Sequence, residues 1–148
     1  MSQLIGIRVA AKVTADVVVT ASTALVTTGL TCPIAANQQL KIRAWIPFSV
    51  GATGGVKVQV VLPAAISAII TTITLIDTVT PAQIVALQTS STPFANALAV
   101  AGSHWLTIEA DVFNGVNAGT LDIQAACNSA ANALTIFKGG WMDVIKAN

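Results

Sequence analysis

Apolar and polar side chains alternate residue by residue in four segments of this chain, and this alternation restricts the fold more than any other feature. In Lys41–Phe48, the even positions are apolar and the odd positions include Lys41, Arg43 and Trp45. A period of two is typical of a half-buried β-strand, because successive side chains point to opposite faces. The apolar positions of the four segments are Ile42, Ala44, Ile46 and Phe48; Val56, Val58, Val60 and Leu62; Leu106, Ile108, Ala110 and Val112; and Leu121, Ile123, Ala125 and Cys127.

Turn-forming stretches between these segments indicate hairpins. Ser49–Gly55 contains three glycines, and Asn114–Gly119 offers Asn114, Gly115 and Gly119 for positive φ. Eight to ten short strands at this spacing predict an all-β jelly-roll sandwich, formed by residues 1–148 as one domain. The remaining expected strands are Ile5–Val13, Val17–Thr20, Ala24–Thr28, Ala133–Phe137 and Trp141–Ile145, with Gly29–Asn37 irregular and a turn at Gly139 and Gly140.

At most one short helix is expected, between Thr80 and Gln88. Thr80, Pro81 and Gln83 match an N-cap, a first-turn proline and a capping-box partner. Otherwise Thr78–Gly102 has little pattern, and it is predicted to be a long excursion of the chain.

Charged residues are scarce. Seven Lys or Arg and six Asp or Glu make up 9% of the chain, whereas a solitary soluble domain carries about a quarter. Part of the surface is therefore expected to be covered by other protein. A net charge of +1 without any run of Lys or Arg argues against nucleic-acid binding.

Val58–Ile76 is uncharged and long enough to cross a bilayer as a helix. It is rich in Val, Ile and Thr, however, and two strands separated near Leu62 and Pro63 explain it better. No membrane partner is expected. A secretory signal peptide is not indicated either, because Arg8 interrupts the short apolar stretch near the start.

Three stretches carry a resemblance to a known group of proteins. They are Thr27–Asn37 running into Lys41–Phe48; Thr53–Ala64, with Thr53, Gly54, Gly55, a strand and Pro63; and Trp105–Ala126, with Val112, Asn114, Gly115, Ala118, Gly119, Thr120 and Leu121. In these stretches the chain resembles bacteriophage virion proteins with a trimeric jelly roll like that of tumour necrosis factor. The resemblance implies a homotrimer on a virion, assembled in the host cytoplasm, with a major capsid protein or another virion protein as its partner.

The leading hypothesis is a non-enzymatic capsid decoration protein that reinforces the head lattice. The alternative is a receptor-binding or glycan-binding knob of a tail fibre, which requires exposed groups on Ser49–Gly55, Gln88–Asn96 and Asn114–Gly119; Phe94 is the main candidate for stacking on a sugar. A third hypothesis is a small hydrolase that uses Glu109, Asp111 or His104.

Glu109, Asp111 and Asp122 form a weak candidate cation site. If Asn114–Gly119 closes a hairpin, Asp111 lies directly across from Asp122, and like charges in that position need compensation. Calcium would supply it, as would a subunit contact or neighbouring basic groups. The basic candidates are Lys41, Arg43 and Lys57. No other metal and no cofactor is expected.

His104 is the only histidine, which excludes a multi-histidine metal site. Ser103 precedes it and would point to the opposite strand face, so we expect a structural or solvent-facing histidine. Cys32 and Cys127 have neither CxxC spacing nor a histidine partner, and they are predicted to be buried apolar residues without a disulfide.

Large aromatic residues supply the predicted interface. Trp45 and Trp105 fall on the same strand faces as charged residues, where an indole ring can either contact a partner or cover the core. Together with Phe113, they are the residues expected at a subunit contact.

Overall fold

The computed structural model describes residues 6–51, 55–64, 66–79, 82–97 and 101–147. All regular secondary structure in these residues is β-strand, so the all-β prediction is confirmed. No helix in this part of the chain is long and apolar enough to cross a membrane. The strands are β1 (Ile7–Lys12), β2 (Val17–Thr20), β3 (Val26–Ile34), β4 (Gln39–Val50), β5 (Gly55–Val61), β6 (Ala68–Asp77), β7 (Ala82–Gln88), β8 (Phe94–Ala97), β9 (Gly102–Phe113), β10 (Gly119–Cys127), β11 (Ala133–Ile136) and β12 (Trp141–Ala147).

Strands β3 to β10 form a jelly roll of two packed sheets. The smaller sheet has the order β3-β10-β5-β8, and β4-β9-β6-β7 form the facing part of the larger sheet. The antiparallel pairs β3 with β10, β4 with β9, β5 with β8 and β6 with β7 give the eight-stranded jelly-roll topology. The other four strands widen the larger sheet, because β12 and β1 continue it beyond β4 and β11 joins β2 to β4.

The interior of the sandwich is built from the apolar positions of the alternating segments. The predicted positions on β4, β5, β9 and β10 are buried, and Leu62, just after β5, packs partly buried against them. Val58–Ile76 forms parts of β5 and β6, with the break at Leu62 and Pro63, so the prediction of two strands is confirmed. The alternation holds because each strand of a two-layer sandwich has one face on the core and one on the outside.

Two connections predicted to be hairpins are crossovers between the sheets. β4 and β5 lie in different sheets, and so do β9 and β10; residues 52–54 of the first connection lie outside the described residues. The second connection is fixed by Asn114, whose buried side-chain Nδ2 donates to the Ala35 carbonyl at 2.6 Å and the Asn117 carbonyl at 2.9 Å. These hydrogen bonds hold the crossover without positive φ at Asn114, Gly115 or Gly119, where it was expected.

The expected irregular stretch Gly29–Asn37 is largely strand. β3 continues to Ile34 through Gly29, which has a φ of +83°, and the register with β10 shifts between Ile123 and Gln124. The buried Thr28 hydroxyl donates to the Ile123 carbonyl at 2.7 Å. An irregularity of this kind lets the strand absorb two extra residues, Thr28 and Gly29, and continue, which the glycine alone did not indicate.

The predicted helix is wrong. Ala82–Gln88 form β7, which pairs with β6 from Asp77 opposite Ala82 to Thr71 opposite Gln88. Thr80 and Pro81, which suggested the helix start, lie outside the described residues. The hydrogen-bonding edge of β6 supplies backbone partners along seven residues, and this tertiary pairing outweighs a local capping pattern. The predicted excursion Thr78–Gly102 therefore contains two strands, β7 and β8.

Candidate interaction surface

The side of the larger sheet that faces away from the smaller sheet, here the outer face, carries an uncharged row across five strands. Trp141 on β12 lies opposite Trp45 on β4, and Trp45 lies opposite Thr107 on β9. Thr107 in turn lies opposite Thr74 on β6, and Thr74 lies opposite Val85 on β7. With strands about 4.8 Å apart, this row extends about 20 Å across the sheet.

Three tryptophans form an aromatic patch on this face: Trp45, Trp105 and Trp141. Trp105 lies opposite Pro47, two residues along β4 from Trp45. Trp105 is 37% exposed and Trp141 is 41% exposed, while Trp45 between them is half-buried. The predicted placement of Trp45 and Trp105 beside charged residues is observed, and the sheet adds Trp141 from a distant part of the sequence.

The turn before β12 positions Trp141. Gly139 has a φ of +95°, its N–H donates to the Val13 carbonyl at 2.9 Å, and the Gly140 carbonyl accepts from the Val13 N–H at 2.8 Å. A Cβ atom at Gly140 would lie 3.3 Å from both Pro47 Cδ and the Trp45 carbonyl oxygen. A side chain at position 140 would have to displace these atoms by a few tenths of an ångström, so glycine favours the close approach that aligns Trp141 with Trp45.

Phe113 lies on the outer face but not in the aromatic patch. It is 48% exposed and lies opposite Gln39 on β4 and Ala68 on β6, at the far end of β9. Eight residues of strand separate it from Trp105, which corresponds to about 27 Å. The structure thus groups two of the three predicted interface residues and leaves Phe113 apart.

Four charged residues of β4 and β9 on the outer face are paired with one another. Lys41 Nζ lies 3.5 Å from Asp111 Oδ1, and Arg43 Nε lies 3.4 Å from Glu109 Oε1, both across β4 and β9. The expected neutralisation by Lys41 and Arg43 is thus confirmed. These two pairs are more than half exposed, so each contributes little to stability.

The edge of the outer face carries a third ion pair. Arg8 Nε donates to Asp143 Oδ1 at 2.7 Å, and this hydrogen bond, with the charge of Asp143, raises the pKa of the Arg8 guanidinium. A surface hollow of about 200 Å³ lies at the same end of the sheet, beside Lys41 and Asp111. It is smaller than the clefts of about 300 to 1,000 Å³ that hold most small ligands.

Asp122 does not join the other two acids. It lies on β10, in the smaller sheet, where it accepts from the Thr27 hydroxyl at 2.7 Å and from Gln124 Nε2 at 2.9 Å. The predicted position across from Asp111 is wrong, because the β9–β10 connection crosses between sheets. No three acids, histidines or cysteines gather as a metal site within the described ranges.

Lys57 was one of the basic residues expected to neutralise the acidic group, but it does not pair with Asp122. Its Nζ donates to the Thr23 carbonyl at 3.1 Å instead. Nearby, Gln59 Nε2 donates to the Ser91 carbonyl at 2.6 Å. The outside of the smaller sheet is accordingly polar, in contrast to the aromatic patch on the larger one.

His104 is buried at one end of the interior. Of the two expected locations, structural or solvent-facing, the structural one is observed. It is 2% exposed, its Nδ1 lies 3.2 Å from Asp77 Oδ1, and its ring centroid lies 5.6 Å from that of Phe48. Ser103 lies on the opposite, exposed side of β9, as predicted. The pair therefore does not provide the serine–histidine contact that nucleophilic catalysis requires.

Both cysteines are buried with free thiols, as predicted. Cys127 Sγ lies 3.3 Å from the Val19 carbonyl oxygen and 3.2 Å from that of Asn132. The expected exposure of Phe94 is wrong, because it begins β8 and is 8% exposed with its ring in the core.

A second apolar region, the aliphatic edge, consists of Ile70, Val85 and Leu87, which are 55%, 58% and 69% exposed. β7 and the outer side of β6 carry no charged residue. Sequence reasoning missed this region because it assigned β7 to a helix. The local sequence carries no alternation that would have identified the strand, since Ile84–Leu87 are all apolar and a short apolar run fits a helix or a strand.

Comparisons with known proteins add little. No family model and no curated protein matches the sequence. Chains from structures of infectious bursal disease virus, Gt strain and Gx strain, align with TM-scores of 0.26 and 0.25 and identities of 12% and 11%. The alignments cover 97% and 96% of this chain but 38% and 40% of those chains, so this chain spans less than half their length. TM-scores this low establish no common fold.

Proposed function

We propose that this protein is a structural subunit of a virus particle, a homotrimer that decorates and reinforces the capsid. One observation carries the proposal: three tryptophans form an aromatic patch, with Lys12 at its border, on the outer face of a chain with very few charged residues. Jelly rolls occur in viral capsid proteins, and also in lectins and cupins. The fold agrees with the proposal but does not select it over these other classes.

The aromatic patch has the physical character of a protein contact. Tryptophan is enriched at interfaces and their energetic centres, while Lys and Glu are depleted there. Covering the exposed parts of Trp105 and Trp141 removes apolar area from water, at about 25 cal/mol per Å². The charged groups of β4 and β9 next to the patch, Arg43 and Glu109, already neutralise each other. Lys12 on β1 lies opposite Trp141 at the border of the patch, where its long side chain can stay in solvent when a subunit covers the tryptophans.

A trimer joined through the aromatic patch leaves the polar side of the smaller sheet exposed to solvent. The capsid lattice would then bind the trimer through residues near its loops, and the shell is stabilised because the bound protein favours the assembled state. In this proposal the protein has no enzymatic role. The tail-fibre alternative has less support, because its stacking candidate Phe94 is buried and the exposed tryptophans lie on a sheet face rather than on loops.

The test is the mass of the purified protein in sedimentation and light scattering at micromolar concentration. A trimer has three times the 15.1 kDa mass of the chain. Trp45→Lys introduces an unpaired charge into the patch and is expected to lower self-association at least about tenfold, whereas Thr120→Lys, exposed on the smaller sheet, is the matched control. A wild-type protein that stays monomeric and adds nothing to capsid stability would contradict the proposal.

Salt gives an independent measure of the same contact. An apolar interface is screened little, so raising NaCl from about 0.05 M to about 0.5 M is expected to change the association constant less than about threefold. Immuno-electron microscopy of intact particles separates the two virion roles, since a decoration protein labels the head and a fibre knob labels the tail tip.

A further inference from the structure

The strand edges of this sandwich are not equally protected against pairing with another chain. Exposed edges are normally blunted by short length, charges, proline or bulges. β2 and β8 have four residues each, β1 carries Arg8 and Lys12, and β3 contains Pro33 and the bulge at Gly29. Among the edge strands that the structure describes, β7 differs from all of these.

β7 has seven residues and none of the usual protective features. Its sequence, Ala82–Gln88, contains no charge and no proline, and its register with β6 is continuous. β6 is its only paired strand among the described residues. Within the described ranges, alternate N–H and C=O groups on the side away from β6 have no strand partner and can pair with another strand.

The side chains of β7 add apolar surface to this free edge. Val85 and Leu87 are exposed on the outer face, at 58% and 69%. Ile84 and Ala86, on the inner face, are only partly buried against the core. A long apolar edge of this kind favours addition of a further strand.

We propose that β7 pairs antiparallel with β7 of a second copy, about a two-fold axis next to Val85. Val85 is the middle residue of the strand, so full pairing places Val85 opposite its own copy, Ile84 opposite Ala86, and Gln83 opposite Leu87. Inner-face residues then meet inner-face residues, and outer-face residues meet outer-face residues. The two larger sheets become one continuous sheet.

A second copy is the occupant favoured by the charges of this edge. Isologous contacts bring identical surfaces together, so any charge near the axis meets its own like charge. β7 and the outer side of β6 carry none, and the nearest outer-face charges on β9, Glu109 and Asp111, are paired with Arg43 and Lys41. The edge is therefore neutral, and a second copy meets no like charge at the axis.

This contact is separate from the aromatic patch. Val85 lies three strands from Trp45 in the same row, about 14 Å away. A two-fold contact at β7 joins one trimer to another, so the complete wild-type assembly is expected to contain an even number of copies. The two contacts can be tested independently. A protein that forms only trimers would still support the proposed function, and a protein that forms only dimers would still support the pairing of β7.

Hydrogen exchange of the wild-type protein tests the pairing without any substitution. The outward amides of Ile84 to Leu87 are expected to exchange at least about tenfold more slowly at high than at low protein concentration, as followed by NMR. The amides of β2, at the opposite edge, serve as the internal control and are expected to show no such change. An exchange rate at β7 that does not depend on protein concentration would overturn the proposal, because it would show that β7 does not pair with a second copy.

Charge substitution tests the two-fold axis. Val85→Lys and Val85→Glu each place like charges together, so each alone is expected to abolish even-numbered assemblies in native mass spectrometry. An equimolar mixture is expected to restore them, with one Lys chain for each Glu chain. Val18→Lys is the matched control, because Val18 is 63% exposed on the short edge strand β2. Even-numbered assemblies that persist in both single variants, or a mixture that restores none, would overturn the proposal.

Discussion

The imidazole of His104 and the carboxylate of Asp77 meet inside the sandwich, with Nδ1 and Oδ1 3.2 Å apart. Asp77 ends β6, and its Oδ1 also accepts from the Val79 N–H at 2.9 Å. His104 packs against Phe48 on the neighbouring strand β4. The contact links three strands of the larger sheet to the turn that follows β6, although neither ring nitrogen of His104 makes a hydrogen bond of normal geometry within the described residues.

We expect His104 and Asp77 to be energetically coupled. In a double-mutant cycle of His104→Leu and Asp77→Asn, the coupling free energy is predicted to be about 1 to 3 kcal/mol, because the buried side chains interact directly. Urea unfolding of the four proteins measures it. Ser103→Ala, on the exposed side of the same strand, is expected to change stability by less than about 0.5 kcal/mol. Additive effects of the two substitutions would show that the contact contributes nothing.

Adjacent residues of β9 should differ sharply in their contribution to stability. Ile108 is fully buried between Ala44 and Ile73, so Ile108→Ala is expected to lower the free energy of unfolding by about 2 to 5 kcal/mol. Glu109→Ala removes only an exposed ion pair and is expected to cost less than about 1 kcal/mol. Chemical denaturation checks both values, and equal losses would contradict the assignment of faces.

Substitutions of Gly29 test whether the bulge in β3 requires a left-handed backbone conformation. A Cβ atom there meets nothing within 4 Å, so Gly29→Ala costs only the strain of a φ of +83°, about 1 to 2 kcal/mol. Asn tolerates this backbone region better than Ala does, and Gly29→Asn is expected to lose less. Thermal or urea unfolding ranks the variants. A more stable Ala than Asn variant would argue against left-handed backbone at this position.

The two thiols provide a probe of global unfolding. Cys32 and Cys127 are fully buried, so a thiol reagent is expected to label them only as fast as the protein opens. Labelling followed by mass spectrometry gives the rate. Thr31→Cys, at the exposed position next to Cys32, is the control and should react at once. Immediate labelling of the wild-type thiols would show that the core is open to solvent.

The alternation of apolar residues was sufficient to assign the inner and outer faces of β4 and β9. Ile42 to Phe48 and Leu106 to Val112 are buried at every second position, as their alternation predicts. Periodicity works here because a side chain in a strand can only point to one face or the other. It also placed Trp45 and Trp105 on the outer face. It did not identify β7, where three capping residues suggested a helix and the pairing with β6 prevailed.

The amino-acid sequence was enough to predict the all-β class and the core positions of four strands. Which strands are neighbours depends on long-range pairing and could not be predicted. Alternation is the same whether consecutive strands form a hairpin or cross between sheets, so it separated neither Asp111 from Asp122 nor Phe113 from Trp105. Long-range strand pairing also places Trp141 opposite Trp45 and leaves β7 at the edge of the sheet. A local stretch of sequence does not show such pairing.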